Sequence, residues 1–350
     1  MAASRQTQLP GFIPPMEAKS VAALPEGADW QYEPKWDGFR CIAARAGDEV
    51  TLTAKSGKTL GRYFPEMVDS VRALPGDRFV LDGELVIIID GTLSFDALQM
   101  RLHPAESRIR KLARETPAIL VLFDMPIAPG GDSLLAAPLR DRRKALERFF
   151  ARSRSDRIRL SPYTRDRKEA AAWLAGAGGA LDGVVAKRLD GAYESGVRAM
   201  MKVKRIGSAD CVVGGFRYGT DGDLVGSLLL GLFNERGELD HVGFTSGFAS
   251  LDRAALTSKL ERLKGGPGFT GRAPGKPSRW STDRSAEWIP LRHELVVEVS
   301  YDHVTDGRFR HGTRFLRWRP DKAPRQCTFE QLEKPASPGA LIERVVAAAP

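Results

Sequence analysis

Residues 79–87 read Phe-Val-Leu-Asp-Gly-Glu-Leu-Val-Ile, an interior strand in every respect except the charged triplet at its centre. An ionised carboxylate is costly to bury without a partner, so a buried strand does not carry two of them idly. Either a hairpin turn at 82–84 leaves both acids in water, or both point into a cleft. The β-forming residues on either side leave little room for a loop. The sequence therefore predicts a strand that carries Asp82 and Glu84 beside a cleft, and the rest of the chain must supply its walls.

A second stretch offers a nucleophile. Tyr32-Glu33-Pro34-Lys35-Trp36-Asp37-Gly38-Phe39-Arg40 reads as a strand, a tight turn at Asp37-Gly38 and a second strand, with Lys35 and Asp37 near the bend. A lysine amine attacks an electrophile only when unprotonated, and its ordinary pKa of about 10.4 blocks it at neutral pH. Neighbouring cations or burial lower that value. Lys202 and Lys204 are candidate neighbours: they alternate with Val203 and share a face if 200–205 is a strand. Two lysines on one face repel unless an anion lies between them. The alternative for this segment is an exposed edge strand, and for Lys35 a surface lysine beside a turn.

The chain has 53 Lys and Arg against 44 Asp and Glu, a formal net charge of +9, which favours an anionic partner, nucleic acid first. Its 350 residues suggest two domains. Cys41, Cys211 and Cys327 are scattered and form no disulfide framework, which points to a reducing, cytoplasmic setting. There is no signal-peptide pattern and no apolar run of membrane-spanning length.

Taken in order, residues 1–27 are proline-rich and read as an extended arm. Val50–Ala54 is a strand running into the polar turn Lys55-Ser56-Gly57-Lys58, and Phe64–Leu74 is a helix opened by Pro65. Ala118–Phe123 is a buried strand ending in Phe123-Asp124. Leu139–Phe150 is an amphipathic helix whose basic opening, including Arg142 and Arg143, is expected to be a solvated face. Leu181–Arg188 reads as a turn at Asp182-Gly183 entering an apolar strand. Beyond a boundary near Ile206 the pattern changes to short strands at 209–216, 224–233, 239–244 and 291–301, with one helix at 251–263 and a Gly/Pro/Lys-rich loop at 265–277. That set suits a small Greek-key barrel of the oligonucleotide-binding type. Arg308–Lys322 interleaves arginines with Phe309, Phe315 and Trp318, as phosphate contact with base stacking requires. No P-loop, dinucleotide fingerprint or zinc-protease motif is present.

Each stretch alone is ambiguous; their order is not. Lys35-x-Asp37-Gly38-x-Arg40, Asp82-Gly83-Glu84, Phe123-Asp124, Asp182-Gly183-Val184-Val185-x-Lys187, Lys202-Val203-Lys204 and Arg319-Pro320-Asp321-Lys322 together resemble the motif series of the covalent nucleotidyltransferases. These are the ATP-dependent DNA ligases, RNA ligases and messenger-RNA capping enzymes. The wording of residues 33–40, 93–99 and 317–322 is most similar to the short bacterial ATP-dependent DNA ligases of the ligase C type, and to the ligase module of end-joining ligase D. The resemblance implies an α+β fold: an ATP-grasp-like nucleotidyltransferase domain of antiparallel sheets and flanking helices over 1–206, an OB-fold β-barrel over 207–335 and a tail over 336–350.

It also implies roles. Lys35 would become a lysyl–AMP, Asp37 would assist the later steps, and Lys202 and Lys204 would hold the α-phosphate. Glu33, Arg40, Lys55, Glu84 and Lys187 would contact the nucleotide, with adenine between Phe123 and Val185. Arg319, Asp321 and Lys322 would orient the β- and γ-phosphates, and Glu84 and Asp182 would bind Mg²⁺ or Mn²⁺. The partner would be nicked duplex DNA, engaged by a monomer in DNA repair, with repair proteins as possible associates, in the cytoplasm at the nucleoid. Two positions depart from the family wording. Asp182 replaces the usual Glu, and Lys55-Ser56-Gly57 replaces Arg-Asn-Gly, which keeps a charge but loses a bidentate fork. Two other functions share these motifs: a GTP-dependent capping-type enzyme acting on RNA, and a nucleic-acid-binding relic that has lost catalysis.

Overall fold

A computed structural model of the chain describes residues 12–153, 155–175, 181–219, 222–247, 251–275, 287–310 and 312–332. The tail expected after Pro335 and the end of the 265–277 loop lie outside these residues. The described chain divides into two compact units, one ending at Arg205 and one beginning at Ile206.

The first unit contains β1 (Ala18–Ser20), β2 (Trp30–Trp36), β3 (Phe39–Ala46), β4 (Glu49–Ala54), β5 (Arg78–Val86), β6 (Ile88–Ile89), β7 (Thr92–Leu93), β8 (Ile119–Ile127), β9 (Ile158–Leu160), β10 (Leu181–Arg188) and β11 (Met200–Val203). Its helices are α1 (Pro65–Arg72), α2 (Phe95–Arg101), α3 (Glu106–Glu115), α4 (Leu139–Phe150) and α5 (Arg167–Ala175). Proline at the first position of α1 costs no hydrogen bond. The Ser94 hydroxyl accepts from Ala97 N–H to start α2. The strands form a four-stranded sheet, β1-β11-β10-β2, and a five-stranded sheet, β4-β3-β5-β8-β9, with β6 and β7 paired apart. The main core lies between the five-stranded sheet and its helices, through Phe64, Met67, Phe79, Leu81, Leu146 and Phe149.

Three expectations are corrected here. The turn at Asp37-Gly38 does not close a hairpin: β2 and β3 belong to different sheets, and the chain crosses between them at these two residues. Glycine is required at the crossing, since a Cβ on Gly38 would stand 2.1 Å from the Leu85 carbonyl oxygen. Asp182-Gly183 is likewise not a turn before a strand. It is the irregular start of β10, where the register with β2 shifts between Leu181 and Gly183 and Gly183 takes φ +138°. Finally, α4 does not open on a solvated face. Arg142 and Arg143 are buried because α4 packs over β8, whose Asp124 is buried and demands a cation. The Arg142 Nε and Nη2 donate to the two Asp124 oxygens at 2.8 and 3.0 Å.

The second unit contains β12 (Gly207–Tyr218), β13 (Val225–Phe233), β14 (Leu239–Thr245), α6 (Arg253–Glu261), β15 (Ile289–Pro290), β16 (Val296–Tyr301), β17 (Val304–Thr305), β18 (Arg308–Phe309) and β19 (Arg314–Trp318). The sheet runs β14-β13-β12-β16-β19, with β15 also on β12. Among the described residues these pairings draw no closed barrel, although one bridge, Thr245 to Thr313, links its two edges. Asp252 caps α6 by accepting from the N–H groups of Ala254 and Ala255. Of the strand expected at 291–301 only Val296–Tyr301 forms, as β16, and β15 precedes the expected range at Ile289–Pro290. Phe309 and Phe315 belong to the core of this unit, so they are not free to stack on bases. Trp318 is packed beneath the Lys259 ammonium, 4.5 Å from its ring. All three cysteines are free and buried. Among the described residues no helix is long and apolar enough to cross a membrane.

Candidate active site

Antiparallel pairing aligns the site before any side chain is considered. Glu33 on β2 lies opposite Val185 on β10, and Val185 lies opposite Lys202 on β11. These three form a row across the four-stranded sheet. Lys35, two residues along from Glu33, falls on the same face and opposite Gly183, which has no side chain to crowd it. On the five-stranded sheet Arg40 of β3 pairs with Glu84 of β5, and Phe123 follows on β8. A cavity of about 610 Å³ is lined by residues of both rows, Glu33, Lys35, Val185 and Lys202 among them with Arg40, Glu84 and Phe123. Lys55 and Lys187 line it too. The arm, through Pro15, Met16 and Glu17, and then β1 form a further wall.

The charges pair across these elements. Lys35 Nζ lies 2.5 Å from Asp182 Oδ2, and Lys204 Nζ lies 3.1 Å from the same oxygen. Lys202 is held below the ordinary lysine value by partial burial, then by the charges of Lys35 and Lys204. Asp82 is wholly buried: Arg40 donates to both its oxygens at 2.6 Å, and the Tyr193 hydroxyl donates at 2.6 Å. Of the two acids in the β5 triplet, then, Glu84 lines the cavity and Asp82 is neutralised behind it. Lys187 pairs with Glu33 at 2.7 Å, and both are buried. The Arg40 guanidinium and the Lys187 ammonium lie 4.5 and 4.6 Å from the Phe123 ring centroid. Lys55 is exposed and pairs with Glu17 of the arm at 3.0 Å.

Glu84 is pushed up to about 7 by burial, against Arg40 and Lys35, with Asp82 and Asp37 adding to the rise. A half-buried carboxyl bordering a polar cavity suits a hard divalent cation, whose charge would offset that burial. Among the described residues no three His, Cys, Asp or Glu side chains gather around one point, so further ligands would come from substrate oxygens and water. Asp182 is engaged by two lysines. A cation held by Glu84 would have to displace its proton, so if Mg²⁺ binds there its affinity should rise about tenfold per pH unit up to about 7 and level off above it. Titrating the Mg²⁺ dependence of ATP consumption on either side of that pH tests this, with Glu84→Gln expected to be flat.

The remaining candidates lie in the second unit. Arg319 and Lys322 follow β19, and both are bound to Asp210 of β12. Sequence reasoning missed Asp210, Tyr193 and the arm residues as parts of their clusters, for no local pattern marks them.

A nucleotidyltransferase domain and an OB-type C-terminal domain are the two units this architecture defines. The ATP dependent DNA ligase domain model matches residues 15–204, and the ATP dependent DNA ligase C terminal region matches 221–322. The chain belongs to the ATP-dependent DNA ligases. It is 46% identical over 337 residues to DNA ligase C1 of Mycolicibacterium smegmatis, covering 92% of this chain and 94% of that protein. It is 44% identical to DNA ligase C of Mycobacterium tuberculosis, covering 94% of this chain and 96% of that one. A solved Lig E DNA ligase shares the fold at a TM-score of 0.56 and 17% identity, over 88% of this chain and all of the other.

Proposed function

We propose that this ATP-dependent DNA ligase joins 3′-hydroxyl and 5′-phosphate ends at nicks in duplex DNA, with AMP carried on Lys35. The Lys35 amine attacks the α-phosphorus of ATP, a P–N bond forms and the bond to pyrophosphate breaks. The 5′-phosphate of the nick then takes the AMP and frees the amine. The 3′-hydroxyl displaces AMP to form the phosphodiester. The observation that carries this reading is the Lys35 amine itself, on the wall of the cavity and 2.5 Å from Asp182 Oδ2. Asp182 is a proton acceptor within reach of that amine, Lys204 shares the same Asp182 oxygen, and Lys202 lines the same cavity.

The other side chains neutralise and align charge, which is most of what phosphoryl transfer asks of a protein. Lys202 and Lys204 are assigned to the α-phosphate. Phe123 and Val185 are assigned to adenine, and Glu33, Arg40, Lys55 and Lys187 to nucleotide binding. Arg319 and Lys322 are assigned to the β- and γ-phosphates, and Asp37 to the later steps. A bound Mg²⁺ or Mn²⁺ supplies neutralisation of phosphate oxygens; Glu84 fits it as it stands, and Asp182 would join by releasing a lysine.

The net charge of +9 supports a DNA partner. In the second unit the Nε atoms of Arg217, Arg272 and Arg308 and both ring nitrogens of His241 are buried without hydrogen-bond partners. Burial, and then these arginines, hold His241 down to about 4. A monomer acting at the nucleoid in DNA repair, with or without repair proteins, suits the reaction, because excision leaves nicks. The two matched ligase domains favour DNA over the capping-type alternative.

The test is incubation with α-labelled ATP and Mg²⁺ on protein first stripped of AMP by pyrophosphate, followed by a denaturing gel and addition of nicked DNA. Label retained from ATP and released on sealing supports the reading. Label from GTP instead, or no label from either, favours the capping enzyme or the relic. In the same assay Asp182→Glu is expected to raise the adenylation rate, because the longer arm restores reach toward a cation. No change or a fall would count against Asp182 as a metal ligand.

A further inference from the structure

In the second unit, the two cations assigned to phosphate are already neutralised. Arg319 Nη1 donates to both oxygens of Asp210 at 2.9 and 3.0 Å, while its Nε and Nη2 donate to Asp321. Lys322 Nζ donates to Asp210 Oδ2 at 2.7 Å. Two cations thus face Asp210 and Asp321, with the Glu298 carboxylate also 3.9 Å from Arg319 Nη1, and all three nitrogens of the Arg319 fork are engaged. The two acids are not equivalent. Asp321 is exposed and adjacent in sequence, whereas Asp210 is 8% exposed and comes from β12, 112 residues before Lys322.

Asp210 is also held from behind. The Gln331 amide accepts from Asp210 N–H at 2.9 Å and donates to Asp210 C=O at 3.1 Å, in the manner of a strand partner. Its Oε1 lies 3.5 Å from Lys322 Nζ. Across the sheet Asp210 pairs with Glu298, whose carboxylate is taken by Arg317 at 2.6 Å. A screened surface carboxylate would compete weakly with an incoming phosphate. A buried one, fixed through its own backbone, competes at nearly full charge.

We propose that Asp210 is a positioning residue for the reaction, an internal counter-anion that aligns Arg319 and Lys322 and is exchanged for the phosphates they bind. It restrains ATP affinity and, by recapturing Lys322, helps pyrophosphate leave. This rests on the assignment of Arg319 and Lys322 to the β- and γ-phosphates.

The experiment is adenylation of the full chain, freed of AMP, over a range of ATP concentrations with and without pyrophosphate. Asp210→Asn is expected to lower the KM for ATP about fivefold and the concentration of pyrophosphate that inhibits by a similar factor, the scale of one ion pair. Asp210→Glu should return both toward the wild-type values, which a merely structural role would not do. Sealing of a nick that already carries 5′-adenylate is the control. Lys322→Ala separates the two ideas. If it leaves the KM for ATP unchanged, the assignment of Lys322 fails. If it raises the KM but Asp210→Asn leaves it unchanged or higher, the counter-anion role alone is overturned. Should Asp210→Asn not fold, by circular dichroism, Gln331→Ala replaces it. Loosening the backbone of Asp210 must then lower the KM in the same direction, and an unchanged value sinks the proposal.

Discussion

Lys35→Ala is expected to lose adenylation and nick sealing by a factor on the order of 10⁴ or more, while still sealing a nick supplied with its 5′-adenylate in place. The first half follows from bond-making: without the amine there is nowhere to form the P–N bond. The second follows from the last step, in which the 3′-hydroxyl attacks an already activated phosphorus and the lysine forms no bond. Lys35→Arg should be equally inactive in adenylation, because a guanidinium does not give up its proton. Lys202 is the instructive neighbour. It borders the same cavity and is held below the ordinary lysine value, so any residual label should map to it. Lys204 is tied to Asp182. The measurement is label transfer, peptide mapping and single-turnover sealing of the pre-adenylated nick. Loss of that last activity in a folded variant would show that Lys35 also orients the later steps.

Arg142→Ala should destabilise the first unit by about 3–5 kcal/mol, although Arg142 does not itself line the cavity. Both members of the Arg142–Asp124 pair are about 1% exposed. Removing the cation strands a carboxylate and the Ala137 carbonyl, and leaves the Gly191 carbonyl only its bond from Leu139 N–H. For a unit of this size the loss corresponds to a fall in Tm of roughly 8–15 °C. Burial works against the charge on Asp124, but the hydrogen bonds and charge of Arg142 outweigh it and hold the acid below the ordinary carboxylate range. The sign follows from that depression. The pair's contribution is complete above the ordinary carboxylate pKa and is lost only as pH falls through the lower native value. Replacing both partners together with apolar residues should recover much of the loss, since no stranded charge remains. Thermal unfolding of the two singles and the double is the check; equal losses in all three would mean that α4 packing, not the pair, was being measured. Asp124 stands opposite Asp82 across β5 and β8, so a relaxed Asp124 also weakens the wall that carries Glu84.

These two predictions divide along the line between what the sequence determined and what the tertiary structure decided. The strand through Asp82 and Glu84, helix α1 behind Pro65, helix α4 over Leu139–Phe150 and the order of the motifs around Lys35 were all legible. Each is a pattern of apolar residues, turn formers and caps within about ten neighbours, and such patterns bias φ and ψ before any distant contact forms. Partnership was not legible. Asp37-Gly38 reads as a hairpin, yet the crowding of Gly38 against Leu85 belongs to a crossing between sheets. The arginines of α4 read as a solvated face, because amphipathicity records how many polar groups lie on a side and not whether a buried carboxylate awaits them. Lys35 finds Asp182 across 147 residues, Tyr193 finds Asp82 across 111 and Lys322 finds Asp210 across 112. A buried charge takes its partner from whatever element the fold packs beside it, and that choice is made by the whole chain at once. Strands, helices and the chemistry they carry are thus written in local residue patterns, whereas which charges meet is set by the packed fold, because their energies depend on burial and distance rather than on neighbours in the chain.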